Sequence, residues 1–230
     1  MKKNTKCNNQ SCFLCQSCVK EWLPAVAAHK KNFVVKKGQK IFSEGDPVTG
    51  IYFVYNGIVK VHKKWGSDKE LIIRFASKGA IFGHRALGKQ ATNYPISATA
   101  LEESLVCYVD MDFFNATLKT NPDFTYDLML FFAEELKEAE RKMRNLAHMT
   151  VKGRVAEALV SLKNQFGINK GGHIDIELTR QDLASYAGAT YETVFRMVNE
   201  MIQEGIIIAV GKKISVINTE KLLLLTQDDL

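Results

Sequence analysis

Short apolar runs separated by glycine-containing turns occupy the chain from Val34 to about Val109. The clearest runs are "KIF", "GIYFVY" and "GIVKVHKK", and their length and β-branched content predict strands. "ELIIRFA", "AIFG" and "SLVCYVD" continue the same pattern. We therefore expect a compact antiparallel β-roll or barrel, in which Asn56-Gly57 forms a tight hairpin turn between two strands.

Helical spacing replaces the strand pattern on both sides of the roll. The stretch "CVKEWLPAVAAHKKNF" precedes the roll and predicts a helix with one apolar side. A long helix is predicted from Asn121 to His148, where apolar residues recur at steps of four and three. These residues are Phe132, Leu136, Ala139, Met143 and Leu146. The stripe would pack either on the roll or on a second copy, and its regular spacing between charges of both signs favours a two-fold dimer.

The stretch from Leu178 to Ile217 combines two short helices and a hairpin. A preceding run, "GRVAEALVSLKNQFG", predicts another helix, and "HIDIEL" predicts a strand. Thr179 is the expected N-cap of the first short helix, and Thr190 of the second, with Gly188 between them. "IIIAVGKKISVI" follows as the hairpin. This order predicts a winged helix-turn-helix, a motif that binds DNA.

The second short helix offers side chains suited to reading bases. Its exposed face is predicted to hold Tyr191, Glu192, Phe195, Arg196 and Asn199. Arg196 can donate two parallel hydrogen bonds to guanine, and Glu192 can accept one from cytosine. The side chains suited to phosphate contacts are Arg180, Gln181, Lys212 and Lys213. Thr179 and Thr190, the two caps, are also expected to contact DNA. The alternative is a solvated helix face with an ion pair between Glu192 and Arg196, but the order of helix, turn, helix and wing favours DNA binding.

Composition is typical of a globular protein and bears on where the protein is located in the cell. The 230 residues carry a formal net charge of +6, which suits a polyanionic partner. No apolar run approaches the length of a membrane span, and the polar start of the chain is unlike a signal peptide. We therefore expect a cytoplasmic protein with no membrane contact.

Four of the five cysteines lie in the stretch "CNNQSCFLCQSC", and the fifth, Cys107, is far away. In a reducing compartment, crowded cysteines point to metal or redox chemistry rather than to disulfides. Thiolates bind iron–sulfur clusters and zinc alike, so spacing leaves iron–sulfur, zinc and no metal as alternatives. The histidines are scattered over separate segments, which argues against a cupin-like metalloenzyme and leaves no predicted catalytic residue.

On these motifs the chain resembles transcription regulators of the CRP/FNR family, from the leader to about residue 220. "KGQKIFSEGDPVTGIYFVYNGIVKV" resembles the family's cyclic-nucleotide-binding-type sensor domain, and "TYETVFR" resembles its recognition helix. Glu192 and Arg196 fall on the family's base-reading pair, whereas Phe195 replaces the serine of FNR-type members.

The resemblance implies an α+β protein with four parts. These are a cysteine-rich leader (1–20), a β-roll sensor domain of double-stranded β-helix type (21–118), a dimerisation helix (119–148) and a winged helix-turn-helix domain (149–230). It also implies a homodimer that binds a palindromic operator, with RNA polymerase as a further partner.

The resemblance bears on the signal as well. Relatives that bind cyclic AMP carry a glutamate and an arginine where this chain has His84 and Ile96, so cyclic AMP is not expected. "ALEESLVC" resembles the segment that delivers the distant cluster cysteine in FNR-type iron–sulfur sensors. The resemblance thus implies a [4Fe–4S] cluster on Cys12, Cys15, Cys18 and Cys107, sensing oxygen, nitric oxide or redox state.

Two alternatives to this ligand set and signal stay open. Cys15 and Cys18 are closer together in sequence than the corresponding ligands of FNR-type sensors. Cys7, otherwise a spare, could therefore replace Cys107 as the fourth ligand. The other alternative is a CRP-family regulator that responds to a small ligand in the roll, with its cysteines zinc-bound or idle.

Overall fold

The computed structural model describes residues 2–4, 12–66, 69–88 and 92–227. The chain divides into two compact units, residues 1–136 and 137–230. The division falls inside the long predicted helix, so the four-part domain organisation stays a prediction.

The described elements are eleven strands, eight α-helices and two 3-10 helices, Lys20–Trp22 and His84–Ala86. The strands are β1 (Lys2–Asn4), β2 (Lys31–Val35), β3 (Lys40–Phe42), β4 (Gly50–Asn56), β5 (Val59–Trp65), β6 (Lys69–Ala76), β7 (Ile81–Phe82), β8 (Ser97–Ala100), β9 (Ser104–Asp110), β10 (Ile207–Val210) and β11 (Lys213–Val216). The helices are α1 (Phe13–Ser17), α2 (Leu23–His29), α3 (Met111–Thr120), α4 (Pro122–His148), α5 (Val151–Phe166), α6 (Arg180–Ala187), α7 (Tyr191–Gln203) and α8 (Thr219–Leu224). The predicted combination of an antiparallel roll, a long helix and a helix-turn-helix with a wing is confirmed.

The roll consists of two antiparallel sheets around an apolar core. One sheet has the strand order β1-β2-β9-β4-β7, and the other has the order β3-β8-β5-β6. Alternate residues of both sheets point between them, as the two-residue period of a strand requires. Four aromatic side chains, Phe42, Tyr52, Phe82 and Tyr94, fill part of this space.

A second core lies on the outer face of the five-stranded sheet. It holds alternate residues of β4 and β9, including Phe53 and Cys107, together with side chains from α1, α2, α3 and the start of α4. The leader segment that begins at Cys12 is therefore packed against the sheet and not separate from it. No described helix is long and apolar enough to cross a membrane.

Three local predictions were wrong, the first two because long-range strand pairing overrides the local pattern. The strands on either side of Asn56-Gly57 lie in different sheets, so this dipeptide turns the chain from one sheet to the other instead of closing a hairpin. The helix predicted over residues 18–33 ends at His29, since the next residues pair with β9. "HIDIEL" forms one isolated bridge, between Ile168 and Ile174.

Candidate DNA interface and cysteine cluster

Two capped helices form the helix-turn-helix as predicted. The Thr179 side chain accepts a hydrogen bond from Asp182 N–H, and the Thr190 side chain accepts one from Thr193 N–H, at 3.0 and 3.3 Å. Between them Gly188 ends α6 with a φ of 64°, a left-handed conformation that glycine adopts without a steric penalty. The caps and the glycine together fix where each helix begins and ends.

Arg154 holds the turn between these helices, and sequence reasoning missed it. Its guanidinium donates to the carbonyl oxygens of Ala187 (3.0 Å), Gly188 (3.3 Å) and Met149 (2.8 Å). The two turn residues lie more than thirty positions away in sequence, so no local pattern marks the role of Arg154. The contact connects α5 to the backbone that orients α7.

Helix α7 separates its side chains cleanly into a buried and an exposed face. Val194, Met197, Val198 and Met201 are buried. All five predicted base-reading side chains are exposed: Tyr191, Glu192, Phe195, Arg196 and Asn199. The rings of Tyr191 and Phe195 stack at 6.1 Å between centroids, so two large aromatic groups lie beside Arg196 in the surface. Their roles in DNA binding stay predictions.

The predicted phosphate-contacting side chains surround this surface unequally. Lys212 and Lys213 are exposed at the turn of the β10–β11 hairpin, and Gln181 is exposed on α6. Arg180 is half-buried, and burial lowers the pKa of its guanidinium. Its Nη1 atom is buried without a hydrogen-bond partner within the described part of the chain. A phosphate oxygen is a chemically suitable acceptor for such a donor.

The predicted dimer seam is exposed on the single chain. Leu136 and Met143 are 61% and 66% exposed, and Phe132, Ala139 and Leu146 are also exposed. The ring of Phe132 contacts the His84 ring at 5.3 Å between centroids, so this end of the stripe also touches the roll. Packing within one chain therefore leaves most of the stripe in solvent, which favours the dimer alternative.

A charged group joins α4 to the roll near that contact. Glu135 lies 2.8 Å from Arg85 Nη2 and 3.5 Å from Arg74 Nε. His84 is buried beside them, and burial, with the charges of Arg74 and Arg85, holds the pKa of its imidazole well below the usual range. A neutral His84 therefore lies at the position for which the family resemblance implies a glutamate in relatives that bind cyclic AMP.

The four described cysteines share one core. Cys12, Cys15, Cys18 and Cys107 are each 7% exposed or less and belong to the apolar cluster outside the five-stranded sheet. Cys7 lies outside the described residues. Burial, and to a smaller extent the nearby Cys12, raises the pKa of the Cys18 thiol to about 12. A thiolate at this position needs a positive partner.

The four described cysteines lie in one core, but their side chains do not surround a common point where a metal ion would bind. Among the described residues, no group of three or more His, Cys, Asp or Glu side chains is arranged so that it would hold a metal ion. One buried polar side chain lies opposite Cys107 in the strand register. Asn32 pairs with Cys107, and its Oδ1 has no hydrogen-bond partner among the described residues. The same holds for Lys30 Nζ, at the residue just before β2.

Comparisons with known proteins place both units. The cyclic nucleotide-binding domain family matches residues 33–121, and the Crp-like helix-turn-helix domain family matches residues 153–225. The "Anaerobic regulatory protein" of Bacillus subtilis is 28% identical over 189 residues, covering 81% of this chain and 78% of that protein. The "CRP-like cAMP-activated global transcriptional regulator" of Mycobacterium tuberculosis is 26% identical over 188 residues, covering 81% and 84%.

The fold is also found in solved structures. That of FixK2 from Bradyrhizobium japonicum has a TM-score of 0.76 at 24% identity, covering 87% of this chain and 99% of that one. The relatives are regulators of transcription and not enzymes. The Bacillus and Mycobacterium proteins are almost equally identical to this chain, at 28% and 26%, but their names indicate different signals. Overall sequence similarity therefore does not identify the signal to which this chain responds.

Proposed function

Because this chain belongs to the CRP/FNR family of transcription regulators, we propose that it binds operator DNA as a homodimer in the cytoplasm. We propose further that a [4Fe–4S] cluster on Cys12, Cys15, Cys18 and Cys107 sets its DNA affinity in response to oxygen, nitric oxide or redox state. The observation that carries the proposal is that these four cysteines are buried in one core. Side chains from the leader, from the roll and from the start of α4 form this core.

The donor chemistry fits this group. Four cysteines can supply the four thiolates that such a cluster takes, and the cluster supplies a redox-active centre when bound. Cys107 comes from a rigid central strand, whereas the other three come from a short helical segment that can adjust. Because the four thiols do not surround a common point, cluster binding requires that α1 shift relative to β9. The unpartnered Asn32 Oδ1 provides a polar group at the strand position opposite Cys107.

Iron analysis tests this assignment. Protein purified and reconstituted without oxygen should contain about four iron and four sulfide per chain and absorb visible light. Cys12→Ser, Cys15→Ser, Cys18→Ser and Cys107→Ser should each lose the iron, while Cys7→Ser, the matched control in the leader, should retain it. Iron-free, colourless protein that binds its operator equally well in air would overturn the proposal. Loss of iron in Cys7→Ser with retention in Cys107→Ser would select the alternative ligand set.

A cyclic nucleotide is not the signal we propose. The roll interior contains the stacked rings of Phe42 and Tyr94, 4.0 Å apart, with Tyr52 and Phe82 packed beside them. Tyr94 is fixed further, because its hydroxyl donates to Gly50 carbonyl oxygen at 2.6 Å. Calorimetric titration with cyclic AMP should therefore show no binding. Zinc analysis of the same preparations distinguishes a zinc-bound leader, for which zinc would replace iron and sulfide.

For DNA reading we propose that Arg196 and Glu192 contact bases, while Lys212 and Lys213 contact phosphates. Arg196→Ala should weaken operator binding by about 1–3 kcal/mol and relax the preference at one base pair. Lys212→Ala should weaken binding to all sequences alike and make the salt dependence less steep. Fluorescence anisotropy on an operator and on single-base variants measures both. An Arg196→Ala protein with unchanged base preference would contradict the assignment.

A further inference from the structure

Three contacts join the segment that follows Cys12 to the junction between α3 and α4. Val19 N–H, one residue after Cys18, donates to Asn121 Oδ1 at 3.1 Å. The indole Nε1–H of Trp22 donates to Thr117 Oγ1 at 3.1 Å. The ring of Phe13 packs against those of Phe124 and Phe131, at 5.6 and 5.8 Å between centroids.

The two acceptors at this junction are completely buried and already connected to each other. Asn121 and Thr117 have no exposed surface. Asn121 Nδ2 donates to Thr117 carbonyl oxygen and to Thr120 Oγ1, at 3.1 and 3.0 Å. Asn121 carbonyl oxygen accepts the N–H of Thr125 at 3.0 Å, the bond that opens the first turn of α4. Asn121 therefore forms hydrogen bonds with three segments. Its side chain bonds the cysteine segment and the end of α3, and its backbone carbonyl bonds the start of α4.

Water cannot reach these two hydrogen bonds while the leader is docked, because Asn121 and Thr117 are completely buried. A buried amide or hydroxyl oxygen that loses its donor pays a desolvation penalty unless the chain rearranges around it. Displacement of Val19 and Trp22 would thus take one hydrogen-bond donor from Asn121 Oδ1 and one from Thr117 Oγ1, at the point where α4 begins. The Phe13 contacts extend the same dependence to Phe131, one residue before the predicted dimer seam.

From this geometry we infer that Thr117 and Asn121 are positioning residues, through which the cysteine segment sets the first turns of the dimerisation helix. The inference rests on the proposed function for its signal, but the contact itself does not depend on a bound cluster. With the leader docked, the junction is satisfied and the first turns of α4 are held. With the leader displaced, these turns loosen and the dimer weakens.

Hydrogen exchange of the cluster-free full-length chain tests the contact. Trp22→Phe and Thr117→Val each remove one partner of the same hydrogen bond, so each should speed exchange in residues 122–131. The double variant should be no faster than the more affected single variant, because residues in one contact are not additive. Thr125→Val is the control, since its hydroxyl bonds Leu118 carbonyl oxygen (2.6 Å) without touching the leader. Its effect should add to that of Trp22→Phe. Unchanged exchange in both single variants, or fully additive effects of the pair, would overturn the inference.

Sedimentation measures the consequence for dimerisation. Between cluster-loaded and cluster-free wild-type protein, the dimer dissociation constant should differ by about fivefold or more. In Thr117→Val the ratio should fall towards one while iron per chain stays at the wild-type level. A purely structural role would weaken both forms alike and leave the ratio unchanged, which would overturn the inference and leave the proposed function intact. If wild-type protein binds no iron, the proposed function fails, and the exchange experiment alone decides the inference.

Discussion

Strands β4 and β9 present different chemistry on the two faces of one sheet. Towards the roll interior they place residues such as Tyr52 and Val106, which pack among stacked aromatic rings. Towards the leader they place Phe53 and Cys107, which belong to the core with the other described cysteines. The register pairs Phe53 with Cys107 directly, so both faces are fixed by the same backbone hydrogen bonds.

The comparison shows how one strand can support two separate surfaces. Because side chains alternate with a period of two, neighbouring residues in β9 lie in different cores. The interior face is filled by rings and is well suited to stability. The outer face is covered by the leader, together with side chains of α2, α3 and the start of α4. Under our proposal, sensing belongs to the outer face and stability to the inner one.

The sharpest contrast is expected between two neighbouring residues of β9 that lie on opposite faces. Cys107→Ser should remove the bound iron and lower anaerobic operator affinity by about tenfold or more, since the dimer-competent state loses its ligand. Val106→Ala deletes two methyl groups from the interior and should cost about 1–3 kcal/mol of unfolding free energy while retaining iron. Iron analysis, DNA anisotropy and urea unfolding separate the two outcomes. Equal iron loss in both variants would remove the distinction between the faces.

Truncation of an aromatic side chain on each face sharpens the comparison. Phe42→Ala should lower the free energy of unfolding by about 3–5 kcal/mol, because a ring in contact with Tyr52, Phe82 and Tyr94 leaves a cavity. Phe13→Ala, in the leader, should have a smaller effect on urea unfolding and a larger one on protease cleavage between residues 12 and 29. The reverse ranking would mean that the leader is part of the main cooperative unit.

Removal of the Tyr94 hydroxyl group tests how much one hydrogen-bonding group in the roll interior contributes to stability. The Tyr94 hydroxyl donates to Gly50 carbonyl oxygen and accepts Gly50 N–H at 3.2 Å. Tyr94→Phe leaves both backbone groups buried without that partner and should cost about 1–3 kcal/mol in denaturant unfolding. Iron content should not change, and a decrease would show that the interior controls the cysteine face.

The smallest effect concerns the outer face of the other sheet, which carries a polar network in place of cysteines. Burial alone would raise the pKa of the Glu70 carboxyl, but the His62 ring nitrogen 2.7 Å away and a hydrogen bond from Lys60 at 2.6 Å outweigh burial and lower it to about 2. A depressed carboxyl pKa stabilises the fold above the unfolded value and loses that contribution as pH falls through the folded one. The stability difference between wild type and Glu70→Gln should therefore be constant above pH 4.5 and shrink towards pH 2. Denaturant unfolding at several pH values measures it, and a constant difference down to pH 2 would contradict the assignment.

Local signals in the sequence predicted local structure well. Thr179, Thr190 and Gly188 mark helix ends because a cap is decided by residues three or four positions away. The long helix α4 was also predictable, because its apolar period is internal to one helix, whereas the dimer seam on it stays a prediction. By contrast, Asn56-Gly57 has the composition of a hairpin turn, and nothing near it in sequence says that the next strand joins another sheet.

The polar contacts that connect distant segments could not be predicted. Arg154 reaches a turn more than thirty residues away, and Asn121 accepts a bond from Val19 across about a hundred residues. Arginine and asparagine are common on helices and at helix ends, so residue type alone does not single them out. Their roles follow only from the tertiary arrangement. The candidate ligand set lies between these cases, since the leader spacing suggested metal chemistry but only the fold showed that Cys107 shares its core.

Gly57 lies in the turn where the chain crosses from one sheet to the other, and its conformation affects how genetic data should be interpreted. Its φ is 92°, and an added Cβ would lie 2.8 Å from Ser104 Cα at the first residue of β9. Any larger residue at Gly57 would push on the strand that carries Cys107 three positions later. In a survey of variants selected for lost signalling, substitutions at Gly57 would thus have the phenotype of ligand mutants. Gene-level screens that equate such a phenotype with direct cofactor binding would assign this glycine the wrong role.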